Sequence, residues 1–151
     1  MTGTANPSSA VSVANRLRPV LLRLARELRR EARAFGVTGG QAALLAAVER
    51  RGRIGLGELA AGEGVSAPAM SKHVDRLEQA GLVSRVPGSS GDRRRVEIEL
   101  TVEGQRVLRR VRSRRTAWLA TRLSALSPED LDALAEAIGP LSRLVDSEKR
   151  G

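Results

Sequence analysis

The sequence predicts a mainly α-helical chain with a small antiparallel β-hairpin, and three observations predict it. Apolar residues recur at steps of three and four through most of the 151 residues, as they do where helices bury one face. Residues 82–86 and 96–100 instead alternate apolar and polar, the period of paired strands. Between these two runs stands Pro87-Gly88-Ser89-Ser90-Gly91, which is loop chemistry.

The elements follow in order. Residues 1–10 are rich in Ser, Thr, Pro and Gly and are expected to be a disordered N-terminal tail. Residues 11–36 read as a long amphipathic helix. Val13, Leu17, Val20, Leu21, Leu24, Leu28, Ala32 and Phe35 form its stripe, and Arg16, Arg23, Arg26, Arg30 and Arg33 lie elsewhere around it. Pro19 inside that run predicts a kink. Thr38 and Gln41 have capping-box spacing ahead of Leu44, Leu45 and Val48. Leu56, Leu59 and Ala60 then share a face of a short helix that Gly64 ends, with Val65 tucked into the corner. Ser66 is placed to cap the next helix and Pro68 falls in its first turn. Met70, Val74 and Leu77 form the inward stripe of that helix, leaving Ala67, Ser71, Lys72, Asp75 and Arg76 outward. After the hairpin, Thr101 caps a helix running to about residue 126. Ser127-Pro128-Glu129-Asp130 starts the last helix, with a cap, a first-turn proline and acidic residues at its positive end. Its stripe is Leu131, Leu134, Ile138, Leu141, Leu144 and Val145, and Gly139-Pro140 is expected to bend or split it.

Two helices joined by a glycine turn and followed by a hairpin make a winged helix-turn-helix, the expected nature of residues 37–101. Small, hydroxylated and basic residues near a helix N-terminus suit insertion into a DNA major groove. Asp92-Arg93-Arg94-Arg95 stands at the loop tip, where an arginine on a thin hairpin can enter a minor groove. Asp92 repels DNA, so its expected role is to hold a neighbouring arginine by a paired hydrogen bond. The bland alternatives are an ordinary helical hairpin and a solvated charge run.

The segment LAAGEGVSAPAMSKHVDRLEQAGLVSR, the wing GDRRRVEIELT and the following TVEG resemble the multiple antibiotic resistance regulator (MarR) family. The resemblance extends over most of the chain and is most specific in the middle. It implies a single domain over 11–151, with 37–101 as the DNA-binding lobe and with 11–36 and 102–146 as a helical dimerisation frame. The family's wing signature, Asp-x-Arg, maps onto Asp92 and Arg94. Arg94 is then the minor-groove residue, with Arg93 and Arg95 on phosphates. Ser66, Ala67, Pro68, Ser71, Lys72, His73 and Arg76 form the expected recognition-helix contacts. His73 stands where an apolar residue is common, and packing and a phosphate contact are both open to it. The resemblance also implies a two-fold homodimer on a pseudo-palindromic operator, most often as a repressor. An effector pocket for phenolic or aromatic carboxylate ligands is implied beside the lobe. Spacing alone places Arg115 and Trp118 as candidate ligand contacts there, while snorkelling or a salt bridge within the dimer is open to Arg115.

Composition agrees. There are 26 basic and 17 acidic residues and a net charge of +9, a balance that favours a polyanionic partner. Lys occurs only at 72 and 149; Arg suits bidentate phosphate and guanine contacts, although a GC-rich genome imposes the same bias. Phe35 and Trp118 are the only aromatics, which argues against readers that stack single-stranded bases. With no cysteine, thiol oxidation is excluded as a switch. One histidine leaves too few nitrogen and sulfur ligands for a conventional metal sensor, and Glu97 and Glu99 are expected to be solvated. No apolar run reaches membrane-spanning length and no signal-peptide pattern opens the chain, so a cytoplasmic location is expected. No nucleophile–base–orienter set can be assembled around His73, so neither an enzyme nor a cofactor is expected. The competing class is a non-specific architectural or nucleoid-associated DNA-binding protein.

Overall fold

The computed structural model describes residues 9–88 and 95–146. In chain order its elements are α1 (Ala10–Arg30), a 3-10 helix (Glu31–Phe35), α2 (Gly39–Arg51), β1 (Arg53–Gly55), α3 (Leu56–Glu63), α4 (Ala67–Gln79), β2 (Val83–Pro87), β3 (Val96–Leu100), α5 (Val102–Leu123) and α6 (Pro128–Asp146). The chain divides into two compact units, residues 1–115 and 116–151.

In the first unit a core is built from α2, α3, α4, the sheet and the first half of α5. Leu45, Val48, Leu59, Met70, Val74, Leu77, Ile98, Leu108 and Val111 are all buried in it. The capping box forms as the spacing predicts: Gln41 N–H donates to Thr38 Oγ1 at 3.1 Å and Thr38 N–H donates to Gln41 Oε1 at 2.8 Å. α1 starts one residue earlier than expected, at Ala10, because Ser9 Oγ accepts from Ser12 N–H and caps it. No residue of α1 is buried, and Val13, Val20, Leu21 and Leu24 are exposed.

The sheet has three strands in the order β1-β3-β2, both pairings antiparallel. The hairpin is as expected; β1 is an addition. Arg53 stands opposite Glu99 in the register, and its Nε donates to Glu99 Oε2 at 2.8 Å. Glu97 and Glu99 are therefore half-buried rather than solvated, since β1 covers the edge of β3 on which they stand.

In the second unit, Ser127 Oγ accepts from Asp130 N–H at 3.2 Å and caps α6. α6 continues through Gly139-Pro140 without splitting, as α1 continues through Pro19. Each proline removes one donor, but the partner carbonyls belong to Asn15 and Glu136, both exposed residues that water can reach. α6 buries none of its residues, and Leu131, Leu134, Ile138, Leu144 and Val145 are exposed.

Candidate nucleic-acid interface

α4 is held at both ends by its own sequence. α3 stops at Gly64, whose φ of 67° is left-handed, and Val65 N–H returns to the Ala60 carbonyl at 3.0 Å. Val65 is 37% exposed, so the turn is made by the backbone and the side chain is not tucked in. Ser66 Oγ then accepts from Ala69 N–H at 3.2 Å, with Pro68 in the first turn. At the other end Gly81, also left-handed, lets Leu82 N–H reach the Leu77 carbonyl at 2.9 Å.

Met70, Val74 and Leu77 are buried and fix the rotation of α4 about its axis. Ser66, Ala67, Pro68, Lys72, His73 and Arg76 are exposed as a consequence, and Ser71 is half-buried. Among the described residues Lys72 and Arg76 form no ion pair. His73 and Arg76 border an open cavity of about 290 Å³ whose far wall is the N-terminus of α2, including Thr38 and Gly40. His73 is thus a surface residue rather than a core one.

Arg85, which sequence reasoning did not single out, joins this helix to the wing. From β2 its Nη2 donates to Asp75 Oδ1 at 2.7 Å and its Nη1 to Glu78 Oε1 at 2.9 Å. Burial pulls the guanidinium pKa down, but the hydrogen bonds and charges of Asp75 and Glu78 outweigh it and hold the group above the ordinary arginine value. α4 and β2 are thereby pinned to each other. The visible signal was the Asp75-x-x-Glu78 pair on one helix turn, but only the fold shows that Arg85 faces it.

Arg95 is exposed at the foot of β3, where its carbonyl accepts from Gly88 N–H at 2.7 Å and closes the stem. Asp92, Arg93 and Arg94 lie outside the described residues. Arg115 and Trp118 fall in different units. Arg115 Nε donates to the Leu28 carbonyl at 2.9 Å, and burial lowers its pKa. Trp118 carries Arg122 over its ring, 3.6 Å from the centroid. Among the described residues no group of three or more His, Cys, Asp or Glu side chains could hold a metal ion. No described helix is long and apolar enough to cross a membrane.

A family model for MarR matches residues 35–95, from the end of the 3-10 helix to the foot of β3. An uncharacterized HTH-type transcriptional regulator of Mycobacterium bovis is 30% identical over 138 residues, 91% of this chain and 96% of that protein. The HTH-type transcriptional repressor MdtR of Bacillus subtilis is 30% identical over 76% of this chain and 74% of its own length.

The chain belongs to the MarR family.

The fold agrees with that assignment over more than nine-tenths of the chain. A crystal structure of a candidate transcriptional regulator of Pseudomonas aeruginosa PA01 superposes with a TM-score of 0.80, is 32% identical, and covers 93% of this chain and 97% of that one. A MarR family protein of Bacillus stearothermophilus, 24% identical, has the same fold with a TM-score of 0.77 over 94% of this chain and 99% of that one. As a MarR-family member the chain is a non-enzymatic, DNA-binding transcription regulator of helix-turn-helix type.

Proposed function

We propose that this chain is a homodimeric, sequence-specific repressor that reads a pseudo-palindromic operator and is released from it by a small aromatic or phenolic ligand. The observation that carries the reading is the outward face of α4. Small residues occupy its capped N-terminus, Lys72 and Arg76 have no carboxylate partner among the described residues, and Arg85 locks the helix to the wing stem. Such a face can approach base edges, while the wing arginines, Arg94 foremost, take the adjacent minor groove.

The apolar faces of α1 and α6 support pairing of two copies, since neither helix buries a residue within the chain. Half-site centres would then lie about one helical turn apart, ~10 bp. MdtR, a relative of similar length, is described as a repressor. Arg115 supports an effector site, because among the described residues its hydrogen bond runs from Nε to the Leu28 carbonyl, and the guanidinium fork can also donate to a carboxylate or phenolate. A ligand that favours one spacing of the two recognition helices would typically weaken DNA binding about 5–150-fold.

Footprinting on genomic fragments, followed by competition with random duplex, tests the proposal. A regulator should prefer its site by a factor of about 10³ or more. Arg94→Ala should weaken operator binding strongly, and Lys72→Ala should weaken it with a salt slope shallower by about 1. A preference near unity, or wild-type binding by both variants, would instead mark a non-specific architectural protein or a misplaced interface.

A further inference from the structure

Arg26, Arg29, Arg30 and Arg33 follow the i, i+3, i+4, i+7 spacing that places side chains on one helix face. They run from the end of α1 into the 3-10 helix, and with Gly39 and Gly40 they line an open concavity of about 340 Å³. Among the described residues only Arg30 of these four has a carboxylate partner, Glu27, at 3.3 Å between exposed groups. Like charges at this spacing repel one another, so the stripe disfavours the helix that carries it unless a polyanion covers it.

Gly39 marks how closely the stripe approaches α2. A Cβ at that position would lie 2.6 Å from Arg29 Cβ, so a glycine is needed for the Arg29 stem to rest against the first turn. Gly40 is shared with the cavity that His73 and Arg76 of α4 border. The two cavities therefore adjoin at the start of α2, with the α1 arginines on one side and His73, Arg76 and Glu63 on the other.

We propose that the Arg26–Arg29–Arg30–Arg33 stripe is a second, sequence-independent DNA contact that grips phosphates of the duplex beside the half-site. The inference rests on α4 being the recognition helix. Guanidinium groups match phosphate oxygens bidentately, and the Gly39 and Gly40 N–H groups that open α2 have no acceptor within their own helix. A duplex is the occupant because four cations along one face match a row of phosphates, whereas a single small anion would leave most of them repelling each other.

The test uses the full chain and the footprinted site embedded in duplexes with short and long flanks, with Kd measured against salt. Replacing all four arginines by Gln keeps the stems and removes the charges. The salt slope should then become shallower by about 2–4, and the benefit of long flanks should disappear. Specific and random duplex should weaken by the same factor, leaving their ratio unchanged. Arg26→Gln with Arg30→Gln alone should give part of the effect, which guards against misfolding of the quadruple variant. A matched charge control, Gln at Arg50, Arg51, Arg109 and Arg110, should leave the flank dependence in place. An unchanged slope in the stripe variant, or an equal loss in the control, would overturn the proposal while wild-type specificity keeps the regulator reading intact. A wild type without sequence preference would sink that reading instead, and the stripe would still stand or fall by its slope on random duplex.

Discussion

Two residues carry more structural consequence than their size implies. Gly104 is buried in the first turn of α5, and a Cβ there would overlap the backbone carbonyl of Leu82, which cannot swing aside as a side chain would. Thr101 fixes the same junction, since its Oγ1 donates to the Gly81 carbonyl at 2.6 Å and accepts from Gly104 N–H at 3.0 Å. Gly104→Ala is expected to destabilise the fold by about 2–3 kcal/mol, the upper part of the usual range for overpacking, read as a lower urea midpoint. Arg85 is the other case. Its bonds to Asp75 and Glu78 are internal to the protein, so Arg85→Ala should reduce operator discrimination while leaving the salt slope of binding unchanged. A slope shallower by about 1 would mean that Arg85 touches a phosphate instead. The Gly104 constraint was not legible in the sequence, because nothing local indicates that Leu82 passes over that position.

The elements themselves were legible where periodicity and punctuation coincide. Gly64 and Ser66 end one helix and start the next at the expected residues, and Ser127 and Pro128 open α6 as their chemistry requires. β1 was not foreseen. Three residues, Arg53–Gly55, are too few to show alternation, and the strand exists because Ile54 finds Ile98 opposite it and both are buried. Pro19 and Gly139-Pro140 lie inside continuous helices, since exposed helices lose a hydrogen bond at proline but keep water as a substitute. At this scale the N-cap of α4 is the natural probe. Ser66→Ala should cost about 1 kcal/mol of stability, measured by thermal or denaturant unfolding. It should also loosen the first turn, where Ala67 and Pro68 are exposed.

At the scale of the whole molecule, α1 and α6 each leave apolar side chains exposed. Their exposed leucines, valines and isoleucine are what a second copy would bury, and sedimentation should give twice the chain mass of 16.2 kDa. Leu134→Glu with Ile138→Glu should shift the protein toward that single-chain mass and abolish tight operator binding, because paired half-sites require a paired protein. A wild type sedimenting at the single-chain mass would refute the dimer. Read by itself, the sequence determined the helices, the paired strands of the hairpin and which face of α4 is buried, because caps, glycines and apolar spacing act over a few residues. Only the tertiary structure decided that Arg85 binds α4 to β2, that a third strand joins the sheet, and that four arginines at the end of α1 line a cavity with the start of α2. Those are meetings between residues distant in the chain, and they are set by how the core packs rather than by any local preference.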